Sequence, residues 1–138
     1  MLKENKPPKQ LLLIGILGAI SVSLGALGAH ALKNKLQTGL ISADQLIGFD
    51  TAVKYQIYHT IAMLGVVILK LNFSNKFLNW SYNLFFYGIV LFSGSLYFLC
   101  TRNLLGADWL KLLGPVTPIG GILFVLGWIC LSISVIKK

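Results

Sequence analysis

The run LLLIGILGAISVSLGALGAHAL, Leu11 to Leu32, contains no Lys, Arg, Asp or Glu. A helix rises 1.5 Å per residue, so about 20 apolar residues cross a hydrocarbon core of ~30 Å, and this run is long enough. Its apolar residues cover every side of the helix, whereas a helix on the surface of a soluble domain carries a single apolar stripe. Three later blocks repeat the pattern. Thr51 to Leu71 holds Lys54 near its start and Lys70 near its end, while Phe77 to Cys100 and Val116 to Ile136 carry no formal charge. A membrane strand needs only ~9–11 residues and alternates in polarity, which none of the four blocks does. The sequence predicts an all-α fold, an integral membrane four-helix bundle. It forms one membrane domain over residues 1–138, with spans at about 11–32, 51–71, 77–100 and 116–136.

Composition agrees. The chain is 56% hydrophobic and 12% charged, against about 25% charged residues in soluble domains. Too few polar side chains exist to cover a water-facing surface. The net charge of +8 does not point to nucleic acid, because no basic stripe interleaved with aromatics is present and the charges flank the spans. The partner it implies is the lipid bilayer. Lys3, Lys6 and Lys9 ahead of the first block, with Ala29-His30-Ala31 behind it, have the outline of a signal peptide. Such peptides have apolar cores of about 7–15 residues, and Leu11 to Ala29 is longer, so this block is expected to stay in the membrane.

Basic flanks set the orientation. With the N-terminus inside, the inner side carries Lys3, Lys6, Lys9, Lys70, Lys76, Lys137 and Lys138 against Glu4. The outer side carries Lys33, Lys35, Lys54, Arg102 and Lys111 against Asp44, Asp50 and Asp108. Seven basic residues to five favour both termini in the cytoplasm. Lys33 to Asp50 reads as the longest connection, lying at the interface, broken at Gly39 and with Ser42 as a helix N-cap. Thr101 to Pro115, with Trp109, is expected to rest on the headgroups. Cys100 and Cys130 stand too far apart along antiparallel helices for a disulfide, and with no histidines nearby they make no zinc site.

Polar residues in or near the spans are the candidates for chemistry. Ser21, Gly25 and Ala29 recur every fourth residue beside Gly18 and Gly28, a small-residue pattern that lets helices approach closely. Gly94, Pro118, Gly120 and Gly121 are read as further packing positions. Tyr55 and His59, at i and i+4, share a face. In an antiparallel hairpin His30 falls in the same membrane half, and Ser93, Ser95 and Tyr97 approach it from the third helix. Together His30, Tyr55, His59, Ser93, Ser95 and Tyr97 form a candidate polar pocket. No acid, base or lysine stands near either serine to activate it, so a catalytic constellation is missing and no enzyme is expected.

Leu24-Gly25-Ala26-Leu27-Gly28-Ala29-His30, Thr51-Ala52-Val53-Lys54-Tyr55-Gln56-Ile57-Tyr58-His59, Leu91-Phe92-Ser93-Gly94-Ser95-Leu96-Tyr97, and Val116-Thr117-Pro118-Ile119-Gly120-Gly121 with Gly127-Trp128 stand in this order along the chain. These motifs resemble those of the bacterial inner-membrane family catalogued as domain of unknown function 423, similar also to eukaryotic transmembrane protein 256. The likeness covers about Leu11 to Ile136. It implies a four-helix inner-membrane protein and supplies no activity. Three readings of function remain. The leading one is a non-enzymatic accessory subunit or self-associating bundle, whose partner is another membrane protein or a homo-oligomer. The second is a binding or transport module taking a lipid, quinone or small solute in the pocket. The third is a redox protein with histidine ligands. No cofactor and no metal are assigned.

Overall fold

The computed structural model describes residues 7–73 and 75–136. Of the residues used for orientation, Lys3, Glu4, Lys6, Lys137 and Lys138 lie outside these. Four long helices follow one another: α1 Gln10–Gln37, α2 Ala43–Lys70, α3 Lys76–Thr101 and α4 Val116–Ile136. Each lies in a helical stretch long and apolar enough to cross a bilayer, and no strand occurs among the described residues. A short 3-10 segment, Asp108–Leu113, leads into α4.

The ends of α1 and α2 differ from the expected connection at Lys33 to Asp50. Lysines do not stop a helix, so α1 runs through Lys33 and Lys35 and ends in left-handed Gly39, φ +74°. There the Gly39 N–H donates to Leu36 O and the Leu40 N–H to Lys35 O, the pairing of a Schellman motif. Ser42 then starts α2. Its Oγ accepts from Gln45 N at 3.2 Å while Gln45 Oε1 accepts from Ser42 N at 2.9 Å. This capping box, a cap worth ~1 kcal/mol, places the helix start two turns before Thr51. Residues 43–50, expected as a short interfacial segment capped by Ser42 and separate from the span, are instead the first two turns of α2 itself. Asn75 caps α3 in the same manner, its Oδ1 accepting from Phe77 N at 2.8 Å.

The strongest packing follows chain order, α1 on α2, α2 on α3 and α3 on α4. Helices α2 and α3 bury 39% and 33% of their most apolar stretches, and the segments containing α1 and α4 bury 17% each. The inner pair is thus the core and the outer pair faces lipid. One apolar cluster joins Ile14, Met63, Val66, Phe85, Ile89 and Phe124; a second joins Leu32, Ile41, Phe49 and Cys100. Between α3 and α4 three glycine–phenylalanine pairs interlock. A Cβ at Gly88 would stand 2.5 Å from the Phe124 ring, one at Gly127 would stand 2.7 Å from the Phe85 ring, and one at Gly120 would stand 2.7 Å from Phe92 Cα. The Phe124 and Phe85 rings occupy the space that Gly88 and Gly127 leave free, while Gly120 admits the backbone of Phe92. Two helices carry a π-turn, Gly28–Leu32 in α1 and Ile89–Ser93 in α3.

Candidate functional site

The polar interior is organised by the middle of α2. Two consecutive carbonyls there accept a hydroxyl from either side: Ser93 Oγ of α3 donates to Ala52 O at 2.8 Å, and Ser21 Oγ of α1 to Val53 O at 3.1 Å. One turn on, Gln56 ties three helices together. Its Nε2 donates to Leu17 O of α1 at 2.8 Å, and its Oε1 accepts from the Tyr97 hydroxyl of α3 at 2.8 Å. Thr60 Oγ1 bonds back to Gln56 O at 2.7 Å. Gln56, Thr60, Ser21 and Ser93 are all buried. In hydrocarbon such groups need partners, and each has one within the bundle.

His59 occupies the next position along. Its Nδ1 lies 2.8 Å from Tyr55 O, an atom that only accepts, so Nδ1 carries the proton. The Trp128 indole N–H of α4 donates to Nε2 at 3.2 Å, so Nε2 is bare and occupied. The ring stacks on Phe124 with centroids 3.5 Å apart and planes 9° from parallel. Tyr55 stacks beside it at 5.9 Å and lies against Phe92 at 4.7 Å. His59 is the neutral Nδ1–H tautomer, fixed at both nitrogens, and neither nitrogen is free to bind a metal. Among the described residues no three His, Cys, Asp or Glu side chains gather into a metal-binding group.

The six pocket candidates are distributed over several places. Tyr55 and His59 are neighbours, and Ser93, Ser95 and Tyr97 approach α2 or α4. Their polar atoms nevertheless point to separate partners: Ser93 to Ala52 O, Tyr97 to Gln56, and Ser95 to Phe92 O at 3.0 Å and to the Thr117 hydroxyl at 2.6 Å. His30 is exposed in the π-turn of α1. It lies beside Gly28, which faces Phe49. His59 stands ten residues further along α2, about 15 Å deeper, so the two imidazoles are not together. The expected hairpin assumed that α2 begins near Thr51; its earlier start moves His30 opposite the first turns of α2 instead.

The packing candidates divide likewise. Gly25, Gly28 and Gly120 face close neighbours, and Gly121 lies 3.8 Å from the Phe92 ring by the same measure, whereas a Cβ at Gly18 or Gly94 would meet nothing within 4 Å. Ala29 and Pro118 are exposed. The face of α1 that packs on α2 runs through Ile14, Ser21, Gly28 and Leu32, steps built of threes and fours. A strict four-residue stripe turns about 40° per step away from such a face, which carries Ala29 outward. The sequence reading passed over Gln56 as the central polar residue, and over Trp128 and Phe124 as the partners of His59. A glutamine within an apolar span is the signal for the first, since its desolvation demands partners.

Two grooves open on the outside. One, of about 760 Å³, lies between α2 and α4 and is lined by Tyr55, Tyr58, His59, Phe124 and Trp128, with Phe92 from α3. The other, about 300 Å³, lies between α1 and α2 and includes Gly25, Ala29, Lys33, Asp50 and Val53. Among the described residues three buried polar atoms lack a partner, Gln45 Nε2, Ser81 Oγ and Arg102 Nε, and none of these residues lines either groove.

Four bilayer-length helices bonded side chain to backbone across their interior define a multi-pass membrane protein. The chain belongs to the family described as "Protein of unknown function (DUF423)", whose model matches residues 24–121. It is similar to a UPF0382 membrane protein of Staphylococcus saprophyticus, 40% identical over 94% of this chain and 98% of that one. A UPF0382 membrane protein of Haemophilus influenzae is 40% identical over 94% and 95% of the two chains. The UPF0382 inner membrane protein YgdD of Escherichia coli is 35% identical over 92% and 88%. No solved structure matches. The protein is a multi-pass protein of the bacterial inner membrane.

Proposed function

We propose that this chain is a non-enzymatic membrane bundle that acts through association, as an accessory subunit of a larger membrane complex or as a self-associating protein. The observation that supports this is the use made of its interior polar side chains. His59, Ser93, Ser95 and Tyr97 each close a hydrogen bond to a helix carbonyl or to a fixed neighbour, and phenylalanine rings fill the space around His59. Groups held this way position helices; the hydroxyl protons and both ring nitrogens of His59 are already engaged within the bundle. The outward faces of α1 and α4 are what remains to meet another protein. Gentle solubilisation of tagged full-length protein from its native membrane, followed by native mass measurement, tests the reading. A stoichiometric partner or a defined oligomer is expected; a bare monomer in every mild detergent would defeat it.

A second reading, a binding module, draws on the 760 Å³ groove, whose size falls within the ~300–1,000 Å³ of ligand sites and whose walls are aromatic. A flat apolar ring system such as a quinone suits stacked Tyr55, His59 and Phe92. Quenching of tryptophan fluorescence by added quinone, lost in Trp128→Phe, is the outcome that would favour it over the first.

A further inference from the structure

The groove between α1 and α2 differs in character from the aromatic one. Its α1 wall is made of Gly25, Ala29 and Lys33, which succeed one another at every fourth residue, and its α2 wall includes Ile47, Asp50 and Val53. Gly25 and Gly28 project no side chain, so Val53 and Phe49 close against them and leave a trough above. From Gly25 to Lys33 is eight residues, about 12 Å of rise. The trough holds about 300 Å³ and lies open along its outer side. A single hydrocarbon chain can lie along it, whereas a second copy meeting this face about a two-fold axis would set Lys33 against Lys33.

Charge fixes the other half of the ligand. Asp50 at the rim is already matched by Lys54 at 2.6 Å. Lys33, exposed at the mouth, forms no ion pair among the described residues. The trough thus runs from an apolar floor at Gly25 and Val53 to an unmatched ammonium one turn past Ala29. We propose that this groove holds one glycerophospholipid, its phosphate at Lys33 and the start of an acyl chain along Gly25, Ala29 and Val53. The ammonium–phosphate contact supplies the charge-assisted bond and the trough supplies shape. Such a lipid remains bound where ordinary boundary lipid exchanges.

Delipidated full-length protein in mild detergent, titrated with dioleoylphosphatidylglycerol and read by native mass spectrometry, tests this. Wild type is expected to take up one lipid in preference to further ones, and dioleoylglycerol, which lacks the phosphate, to bind at least about tenfold more weakly. Ala29→Trp fills the trough from an exposed position, and Lys33→Gln removes the cation; each is expected to abolish the preferential first binding, while Ala19→Trp on the exposed face of α1 leaves it intact. Melting curves identify any variant that fails to fold, and Lys33→Gln, a surface change, keeps the test decisive if Ala29→Trp does. Equal uptake by wild type and Lys33→Gln overturns the proposal. So does equal binding of the phosphate-free lipid, or a dimer in wild type that Ala29→Trp dissociates.

Discussion

Gln56 carries more of the bundle than any residue of the candidate pocket, because its two amide ends reach α1 and α3 at once. Interhelical hydrogen bonds in membranes are worth ~0.6 kcal/mol on average and up to ~1.7, and a buried hydroxyl left bare adds to the loss. Gln56→Leu is therefore expected to cost about 1–2 kcal/mol, read as a lower melting temperature in detergent. Adding Tyr97→Phe removes the stranded hydroxyl, so the double variant should be more stable than the sum of the two single losses implies; strict additivity would show that the pair is not coupled. At this scale the sequence was legible where spacing alone decides geometry. Tyr55 and His59 stack as i and i+4 residues should. The proposed pairing of His30 with His59 depended on where α2 starts, and that is set by the Ser42–Gln45 box.

Among the elements, α3 and α4 are held by shape. Gly120 meets backbone, which cannot swing aside, so Gly120→Ala should lower stability by about 1–3 kcal/mol, whereas Gly18→Ala enters open space and should lose none. Thermal melts of both variants in one detergent check the contrast, and equal curves would mean that the two helices slide apart readily. The helices themselves were legible from the length and uniform apolarity of four blocks. The glycines that matter were not separable from those that do not, since Gly18 and Gly25 look alike in sequence. Only the partner's side chain distinguishes them: Val53 faces Gly25, and nothing faces Gly18.

For the molecule as a whole, the asymmetry of lysine and arginine predicts that both ends face the cytoplasm. A phosphatase that folds only outside the cell, fused after Lys138, should be inactive, and a fluorescent protein in the same place should glow; an active phosphatase would reverse the orientation. The order of packing, with α1 held mainly by α2, also makes α1 the helix whose register the rest of the bundle least constrains. That gives the π-turns at Gly28–Leu32 and Ile89–Ser93 a genetic consequence. A π-turn is a helix with one residue in surplus, so it acts as a frame-shifting device within a span. Losing one codon there removes the surplus and leaves a smooth α-helix whose two flanks keep their facing, whereas losing one in a neighbouring α-turn would rotate everything beyond it by about 100°. In α1 the latter change would swing Lys33 off its groove, and in α3 it would take Tyr97 from Gln56. Single-residue length variation among homologues should accordingly collect at these two turns and in the stretches at 38–42 and 102–107, and spare the α-helical turns between them.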